Sequence, residues 1–418
     1  MSERSEGGAQ PPSAANPLGH GPVLLLAGAR LADGRVVDVR ISGDRIQAVG
    51  TVGSLGPLPA MPGQPTVTTG ARIDLSGYLL LPAPAEPHGH YDSAFSSALP
   101  AAPADGPAEL VRRVTEAALT SLGYGATAQR THVRIGDVHG LGRLEAVLTA
   151  RQALRGLAEL QAVAMPRLLT GLAGADGRAQ LRDALKLGAD VAGGCPDLDP
   201  DPAGYVQVLL AAAADADCPV DLHTNAADQA QLARLVAALA PHRPRVTLGP
   251  CSALPPGAAG LLAGAGMRVA CLPQNGGCTG LEGAPIGLRP SLVRELAQAR
   301  VNLTAGGGGL RDASNPVGRA DPLDTARLLA ATGALSPASA YEAVSARARS
   351  ALGLAPVRVD AGFPAELLAV RGDSLDGALT GGHSRLVVHC GRVVSRTSAV
   401  REFADTVALA LPRQNHQG

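Results

Sequence analysis

Two histidines, His88 and His90, stand one residue apart shortly after an apolar run, Leu79–Leu81, that is typical of a buried strand. If that strand continues through the pair, both imidazoles point to one face, because side chains alternate with period two along a strand. Two neighbouring imidazoles at the carboxyl end of a strand are half of a metal site. An isolated His-x-His is more often a solvated loop, but the apolar strand before it favours the metal interpretation.

Short apolar runs alternate with helical stretches from about Tyr78 to Leu354, which gives eight strand-then-helix units. A segment of this size predicts an α/β fold, a (β/α)8 TIM barrel over residues 77–354. A doubly wound open sheet competes with it, but no Gly-x-Gly-x-x-Gly follows a strand. The strand candidates after the first are 131–135, 161–165, 189–192, 220–222, 246–248, 268–272 and 301–305.

The two chain ends contain short β runs separated by turn residues. We expect residues 22–76 and 355–400 to form one small β-sandwich domain together. Residues 1–21 are rich in Gly, Pro, Ser and Ala and are predicted to be a disordered tail, and residues 401–418 a C-terminal tail.

The composition of the 418-residue chain excludes several classes of function. Its 36 basic and 36 acidic residues balance without a basic cluster, so we expect neither nucleic acid nor a membrane as partner. Six cysteines without Cys-x-x-Cys spacing are typical of free thiols in a reducing compartment. The first residues lack the order of a signal peptide, and Leu24–Leu26 is too short to span a bilayer. We therefore expect a cytoplasmic protein.

The stretch Ile73–Pro82, followed by His88, His90 and Asp92 as His-x-His-x-Asp, resembles the first barrel strand of the amidohydrolase superfamily. The run Leu187–Asp197 is similar to the cytosine deaminase-like branch in particular. The resemblance implies a (β/α)8 barrel bracketed by a terminal β-sandwich. It also implies hydrolytic removal of ammonia from a cyclic amidine, with one divalent metal activating water.

The resemblance further assigns residues to roles. His223 ends the fifth strand candidate, where the family places a third metal-binding histidine beside His88 and His90. Three histidines can hold zinc or iron, although loss of an anionic ligand would leave the metal weakly held or absent. Asp92 matches a position that supports the metal ligands. The family likeness also makes a small heterocyclic ligand plausible, and a homo-oligomer or a hetero-oligomer with a homologue.

The sequence departs from the family at the positions that transfer protons. Similar proteins continue from the third histidine with an acidic pair, whereas this chain has Asn225-Ala226. Pro250 replaces the histidine that ends the sixth strand, and Gly308 replaces the aspartate that ends the eighth. Arg167 stands where cytosine deaminase-like proteins have a pyrimidine-reading glutamine, and it has donors only. Intact catalytic residues are therefore not expected.

Other side chains are candidates to replace the missing proton-transfer and metal-binding groups. Cys251 adjoins Pro250 and could ligate zinc as a thiolate, but a buried bystander thiol is the simpler interpretation. Asp312 is expected to cap or anchor its own loop, and His132 to be a core or pocket residue rather than a ligand. Arg167, Asp92 and Cys251 are expected to line the substrate pocket.

The glycine run at 306–309 resembles a phosphate-binding loop, but no lysine or serine follows in P-loop spacing. The sequence thus predicts a barrel that keeps a metal scaffold and lacks the acid and base. We expect a catalytically impaired protein that acts as a binding or partner-subunit paralogue. The alternatives are an active divergent hydrolase that uses the three histidines and a substituted base, and a small-molecule sensor.

Overall fold

Eight parallel strands form a barrel in this computed structural model, which describes residues 23–58, 60–61, 64–68, 70–97, 106–136, 140–274 and 289–400. The barrel strands follow one another around the sheet in chain order. They are β8 (Ala85–Gly89), β9 (Ala128–Ile135), β10 (Glu159–Pro166), β11 (Val191–Gly194), β12 (Val220–Thr224), β13 (Val246–Pro250), β14 (Arg268–Cys271) and β15 (Asn302–Ala305).

The barrel closes between its last and first strands. A parallel bridge joins Gly308, just past β15, to Gly89 at the end of β8. The amide of Gly308 donates to the carbonyl oxygen of His88 at 3.0 Å, and the amide of His90 donates to that of Gly308 at 3.3 Å. The predicted (β/α)8 architecture is confirmed.

Helices connect the strands and cover the outside of the barrel. Many begin at a side-chain cap: Asp201, Asp228 and Asp321 each accept a backbone N–H of the first turn. The barrel helices are α1 (Pro107–Gly123), α2 (Gly142–Ala153), α3 (Ala175–Leu187), α4 (Pro202–Asp215), α5 (Gln229–Leu239), α6 (Ala258–Gly264), α7 (Pro290–Gln298) and α8 (Pro322–Ala331), and α9 (Pro337–Val344) and α10 (Ala346–Ala351) follow. None of the helices in the described ranges has both the length and the apolar character needed to cross a bilayer.

A second, mostly antiparallel sheet combines strands from both chain ends, in the order β18-β17-β16-β7-β1-β2-β3 with β6 beside β1. This architecture confirms the small β-domain that the sequence predicted from both ends. Its strands are β1 (Val23–Arg30), β2 (Val36–Ser42), β3 (Arg45–Thr51), β6 (Gly70–Asp74), β7 (Tyr78–Pro82), β16 (Leu367–Arg371), β17 (Arg385–His389) and β18 (Arg392–Thr397). A two-stranded ribbon, β4 (Ala60–Met61) and β5 (Gln64–Thr68), and helix α11 (Leu375–Gly381) complete the elements.

The run Leu79–Leu81 does not begin the barrel, which corrects the sequence interpretation. It lies in β7, which pairs antiparallel with β16 in the terminal sheet. Pro82 and Pro84 separate it from β8, which is the first barrel strand. The terminal sheet therefore extends past residue 76, and the barrel strands begin at Ala85 rather than at 77. The predicted tails, 1–21 and 401–418, lie outside the described residues.

Candidate metal centre

Four histidines meet at the carboxyl end of the barrel. His88 lies on β8, His90 just after it, His132 on β9 and His223 on β12. One ring nitrogen from each lies within 4.8 Å of the corresponding nitrogens of the others. The Nε2 atom of His223 is 2.8 Å from Nε2 of His88 and 3.2 Å from Nε2 of His90. The structure thus brings together the three histidines that the sequence analysis singled out and adds a fourth.

Three histidines of the cluster have lowered pKa values. Burial, reinforced by the neighbouring imidazoles, lowers the pKa of His88 and His223 well below the usual value. Burial and then His132 lower the pKa of His90 to about 4. These three imidazoles are therefore neutral at neutral pH, the state in which a histidine nitrogen can bind a cation.

His132 was expected to be a core or pocket residue, and it lies fully buried beside the other three histidines. Its ring centroid lies 4.1 Å from that of His88 and 4.6 Å from that of His223. The alternation of apolar and polar side chains along β9 indicated that His132 faces the barrel interior. Val133 and Ile135 pack in the outer core, so the intervening polar side chains, including His132, face the barrel interior.

A buried ion pair adjoins His132 inside the barrel. Asp221 Oδ2 accepts from Arg130 at 2.9 Å, and Asp221 Oδ1 lies 3.3 Å from His132 Nε2. Asp221 and His132 are fully buried, and Arg130 is nearly so. Burial alone would raise the pKa of Asp221, but His132 and Arg130 more than offset it and hold this pKa low. Asp221 is therefore an anion beside the cluster, which sequence reasoning missed.

The nitrogens present fit one divalent cation. Zinc–nitrogen bonds of 2.0–2.1 Å in a tetrahedral site place two ligand nitrogens about 3.3–3.4 Å apart. The observed Nε2 separations of 2.8 and 3.2 Å approach that spacing without a large movement. The Nδ1 atoms of His88 and His223 have no hydrogen-bond partner among the described residues. No hydrogen bond to the second ring nitrogen therefore fixes the orientation of these two rings.

Glu86 supports the barrel closure rather than the cation. Its carboxylate accepts the amide of His88 at 2.9 Å and that of Gly307 at 2.8 Å. Burial raises the pKa of Glu86 to about 7, although both backbone hydrogen bonds favour the anion. A side chain at Gly306 would collide with Glu86. The glycines thus leave room for a buried glutamate.

The glycine run does not form an open phosphate cradle. Such a cradle needs backbone N–H groups that point at a ligand. Here the amide of Gly306 donates to the carbonyl of Cys271, that of Gly307 to Glu86 and that of Gly308 to His88. These three donors are already satisfied within the protein.

The loop after His223 is well fixed but carries no acid at its tip. Asp197 accepts from the Thr224 hydroxyl at 2.9 Å and from the Asn225 amide at 2.9 Å. Ala226 is buried, has a left-handed φ of 51° and donates its amide to the Thr224 hydroxyl. The loop around Ala226 is therefore held in place by hydrogen bonds, although an alanine side chain cannot transfer a proton.

The end of strand β13 also lacks a group that transfers protons at neutral pH. Pro250 ends β13 beside Thr224, and Cys251 is buried with its amide bonded to the carbonyl of Thr224. Burial raises the pKa of the Cys251 thiol to about 12. Cys251 is not part of the group of potential ligands that the four histidines form among the described residues.

Three further residues singled out from the sequence occupy the rim of the barrel. Asp92 is buried and pairs with Arg143 at 3.1 Å. Arg167 is exposed directly after β10. Asp312 accepts the amides of Ser314 and Asn315, as its predicted role as a loop anchor requires.

A second group of potential ligands lies in the terminal sheet. Glu366 Oε2 and His389 Nδ1 are 2.9 Å apart, and Cys390 Sγ lies 3.5 Å from His389 Nε2. Burial is the first of the influences that raise the pKa of the Cys390 thiol to about 11. Any measurement of bound metal has to separate this group from the histidine cluster.

Barrel and cluster together define a (β/α)8 protein with four histidines at the carboxyl ends of its strands that could hold a metal ion. Among solved structures, N-isopropylammelide isopropylaminohydrolase from Burkholderia multivorans matches with a TM-score of 0.74 and 26% identity, over 90% of this chain and 99% of that one. The 5-methylcytosine deaminase of Klebsiella pneumoniae matches with 0.72 and 20%, over 91% and 100%. A zinc complex of atrazine chlorohydrolase from Arthrobacter aurescens matches with 0.67 and 18%, over 93% and 98%.

The first of these neighbours, at 26% identity, supports an amidohydrolase, cytosine deaminase-like assignment, and the other two share the fold. No model of a protein family matches the sequence. A comparison with curated proteins finds no match either.

Proposed function

We propose that this chain is a metal-binding amidohydrolase-type protein that has lost deamination and binds a small heterocyclic molecule without turning it over. The observation that carries this proposal is one contrast within a single site. Neutral histidines converge there, while the three positions for proton transfer hold Ala226, Pro250 and Gly308.

His88, His90 and His223 would hold one divalent cation, zinc or iron, through their Nε2 atoms. Such a cation acts as a Lewis acid and lowers the pKa of water to about 7. Deamination also requires that a proton reach the departing amine, and the chain must supply it. In relatives of this type that proton would be carried by an acidic side chain, and an alanine carries none.

The described carboxylates around the cluster have other partners. Glu86 accepts two backbone amides, Asp221 pairs with Arg130, and Asp312 anchors its loop. General acid–base catalysis contributes about 10²–10⁴-fold to a rate. Loss of the group that performs it should therefore remove most of the rate, even with a cation in place.

A second candidate is an active, divergent metal-dependent hydrolase that uses a substituted base. Two observations favour it: the histidine cluster is complete, and a neighbour at 26% identity is an isopropylaminohydrolase. This candidate needs turnover by the natural chain, which the first candidate does not.

Two measurements separate the candidates. Metal analysis of purified protein is followed by ammonia release from a panel of pyrimidines and related heterocycles. About one metal per chain without turnover supports the first proposal, and turnover above background defeats it. Gain of ammonia release in the triple variant Ala226→Glu, Pro250→His and Gly308→Asp would support the assignment of all three positions.

Ligand and assembly are separate parts of the proposal. A heterocycle that binds without turnover raises the melting temperature progressively as its concentration exceeds its dissociation constant, which a thermal-shift screen measures. A sensor would give the same shift together with a change in a bound partner. We also propose a homo-oligomer or a hetero-oligomer with an intact homologue, and light scattering with and without that homologue tests it.

A further inference from the structure

The three predicted ligands leave one imidazole of the cluster without an assigned role. His132 is fully buried, and its ring packs against those of His88 and His223. We infer that His132 contributes a fourth nitrogen to the metal centre and that Asp221 is the positioning residue that orients its ring. The inference rests on the proposed function, since it concerns the same cation.

Both nitrogens of His132 face an oxygen. Nε2 lies 3.3 Å from Asp221 Oδ1, and Nδ1 lies 3.4 Å from the carbonyl oxygen of Gly89. A neutral imidazole has one N–H, so one nitrogen must present its lone pair to an oxygen. With the proton on Nε2, on the side of Asp221, Nδ1 is the unprotonated nitrogen, and a cation bound there would replace its contact with the Gly89 carbonyl oxygen. That is the carboxylate–histidine–metal arrangement of many metal sites.

Asp221 is held in the orientation that this role requires. Arg130 occupies its Oδ2 atom, and Arg130 is itself fixed by Gln161 Oε1 at 3.0 Å and by the carbonyl of Ala351 at 3.0 Å. Asp221 Oδ1 and His132 Nε2 are both buried and lie 3.3 Å apart, and neither has a hydrogen-bond partner among the described residues. Of the four histidines, only His132 has a ring nitrogen within 4.0 Å of a carboxylate oxygen in the described part of the chain.

A purely structural role makes a different prediction. If His132 carried both protons, it would donate to Asp221 and to Gly89 and would only bind the strands together. A bound cation would then have three histidine nitrogens. The number of nitrogens therefore decides between the two roles without any measurement of activity.

The test uses the full chain with Cys390→Ala, which removes the thiol from the second ligand group. After chelator treatment the protein is titrated with Co²⁺, followed by visible absorption and by X-ray absorption at the cobalt edge. We expect one Co²⁺ per chain with four histidine nitrogens. His132→Gln should weaken binding by about 10-fold or more and change the visible spectrum. Asp221→Asn should weaken it by about 10–100-fold, the usual effect of removing a partner of a ligand.

The matched control is Asp321→Asn, which removes another buried carboxylate that pairs with an arginine, Arg385. It should leave Co²⁺ affinity unchanged. Three nitrogens in the unsubstituted site, or equal loss of affinity in Asp321→Asn, would overturn the inference and leave the proposed metal centre standing. Failure of the parent protein to bind Co²⁺ would overturn both. The nitrogen count needs no variant, so it decides even if His132→Gln does not fold.

Discussion

The amide of Gly308 donates to the carbonyl oxygen of His88 at 3.0 Å, so the barrel closes at the metal motif itself. The position that would carry an aspartate in relatives of this type therefore lies against the backbone of a proposed ligand. Its φ of 70° is in the left-handed region, which aspartate tolerates more readily than most residues. The closure leaves the barrel intact when the anionic side chain is missing.

Restoring that side chain should strengthen metal binding. Gly308→Asp adds a carboxylate oxygen beside neutral histidines, and we expect Zn²⁺ affinity to rise at least about 10-fold in a calorimetric titration. The left-handed backbone should cost stability of about 1–3 kcal/mol in the absence of metal. Gly333→Asp is the control, because Gly333 has a φ of 67° away from the cluster. Equal Zn²⁺ affinity in both variants would contradict the assignment of Gly308.

The metal-free protein should lose stability on acidification. The pKa of His90 falls from 6.5 unfolded to about 4 folded, and those of His88 and His223 also lie well below 6.5 in the folded protein. Below pH 6.5 these histidines bind protons in the unfolded chain but remain unprotonated in the folded chain. The free energy of unfolding therefore decreases as pH falls toward 4. Urea unfolding between pH 4 and 7 measures the slope. His90→Asn should flatten it, and an unchanged slope would refute the depressed pKa.

Glu86 should act in the opposite direction. Its pKa rises from 4.5 unfolded to about 7 folded, so the folded state holds the extra proton in that window. Glu86 therefore favours folding at low pH, and this contribution is lost as pH rises toward 7. Glu86→Gln removes it and should steepen the increase of stability with pH in the chelated protein. The same urea series checks this sign, and a flatter curve would contradict it.

The barrel strands could be predicted from the sequence because short strand-forming runs alternate with helical stretches. Strands β9, β10 and β12 contain their predicted cores, 131–135, 161–165 and 220–222. The first strand was wrong for a physical reason. An all-apolar run such as Leu79–Leu81 suits a strand buried on both faces in either sheet, and its pairing partner lies almost 290 residues away in β16. Long-range pairing of that kind is not encoded locally.

The candidate site was predictable where residues follow strand ends, and His223 is the clearest case. His132 was missed because a lone histidine within a strand is usually a satisfied core residue. Its partner Asp221 approaches from β12, across the barrel, and only the closed geometry brings the two together. The spacing Asp221-x-His223 predicts that both side chains point to the same face of the strand. The spacing alone does not predict that His132 lies opposite Asp221 in the closed barrel.

The buried ion pair should be costly to break from one side. Arg130→Met leaves Asp221 buried without its cation, and loss of one partner of a buried pair costs about 3–5 kcal/mol. Arg112→Met is the control, because Arg112 pairs with Glu109 on the exposed face of α1. It should leave the unfolding midpoint unchanged. Similar losses in both variants would mean that the barrel interior does not hold the charges as described.

Cys251 should not participate in metal binding. Its thiol is buried with a pKa raised to about 12, so a thiolate is not available at neutral pH, whereas the exposed Cys390 is accessible. We expect iodoacetamide to label Cys390 before Cys251, and Cys251 only under unfolding conditions. Cys251→Ser should bind Co²⁺ with the same affinity as the unsubstituted protein. Any sulfur-to-cobalt charge-transfer band of the unsubstituted protein should remain in this variant. A band that disappears in this variant, but persists in Cys390→Ala, would show a thiolate ligand next to Pro250 and would overturn an all-histidine centre.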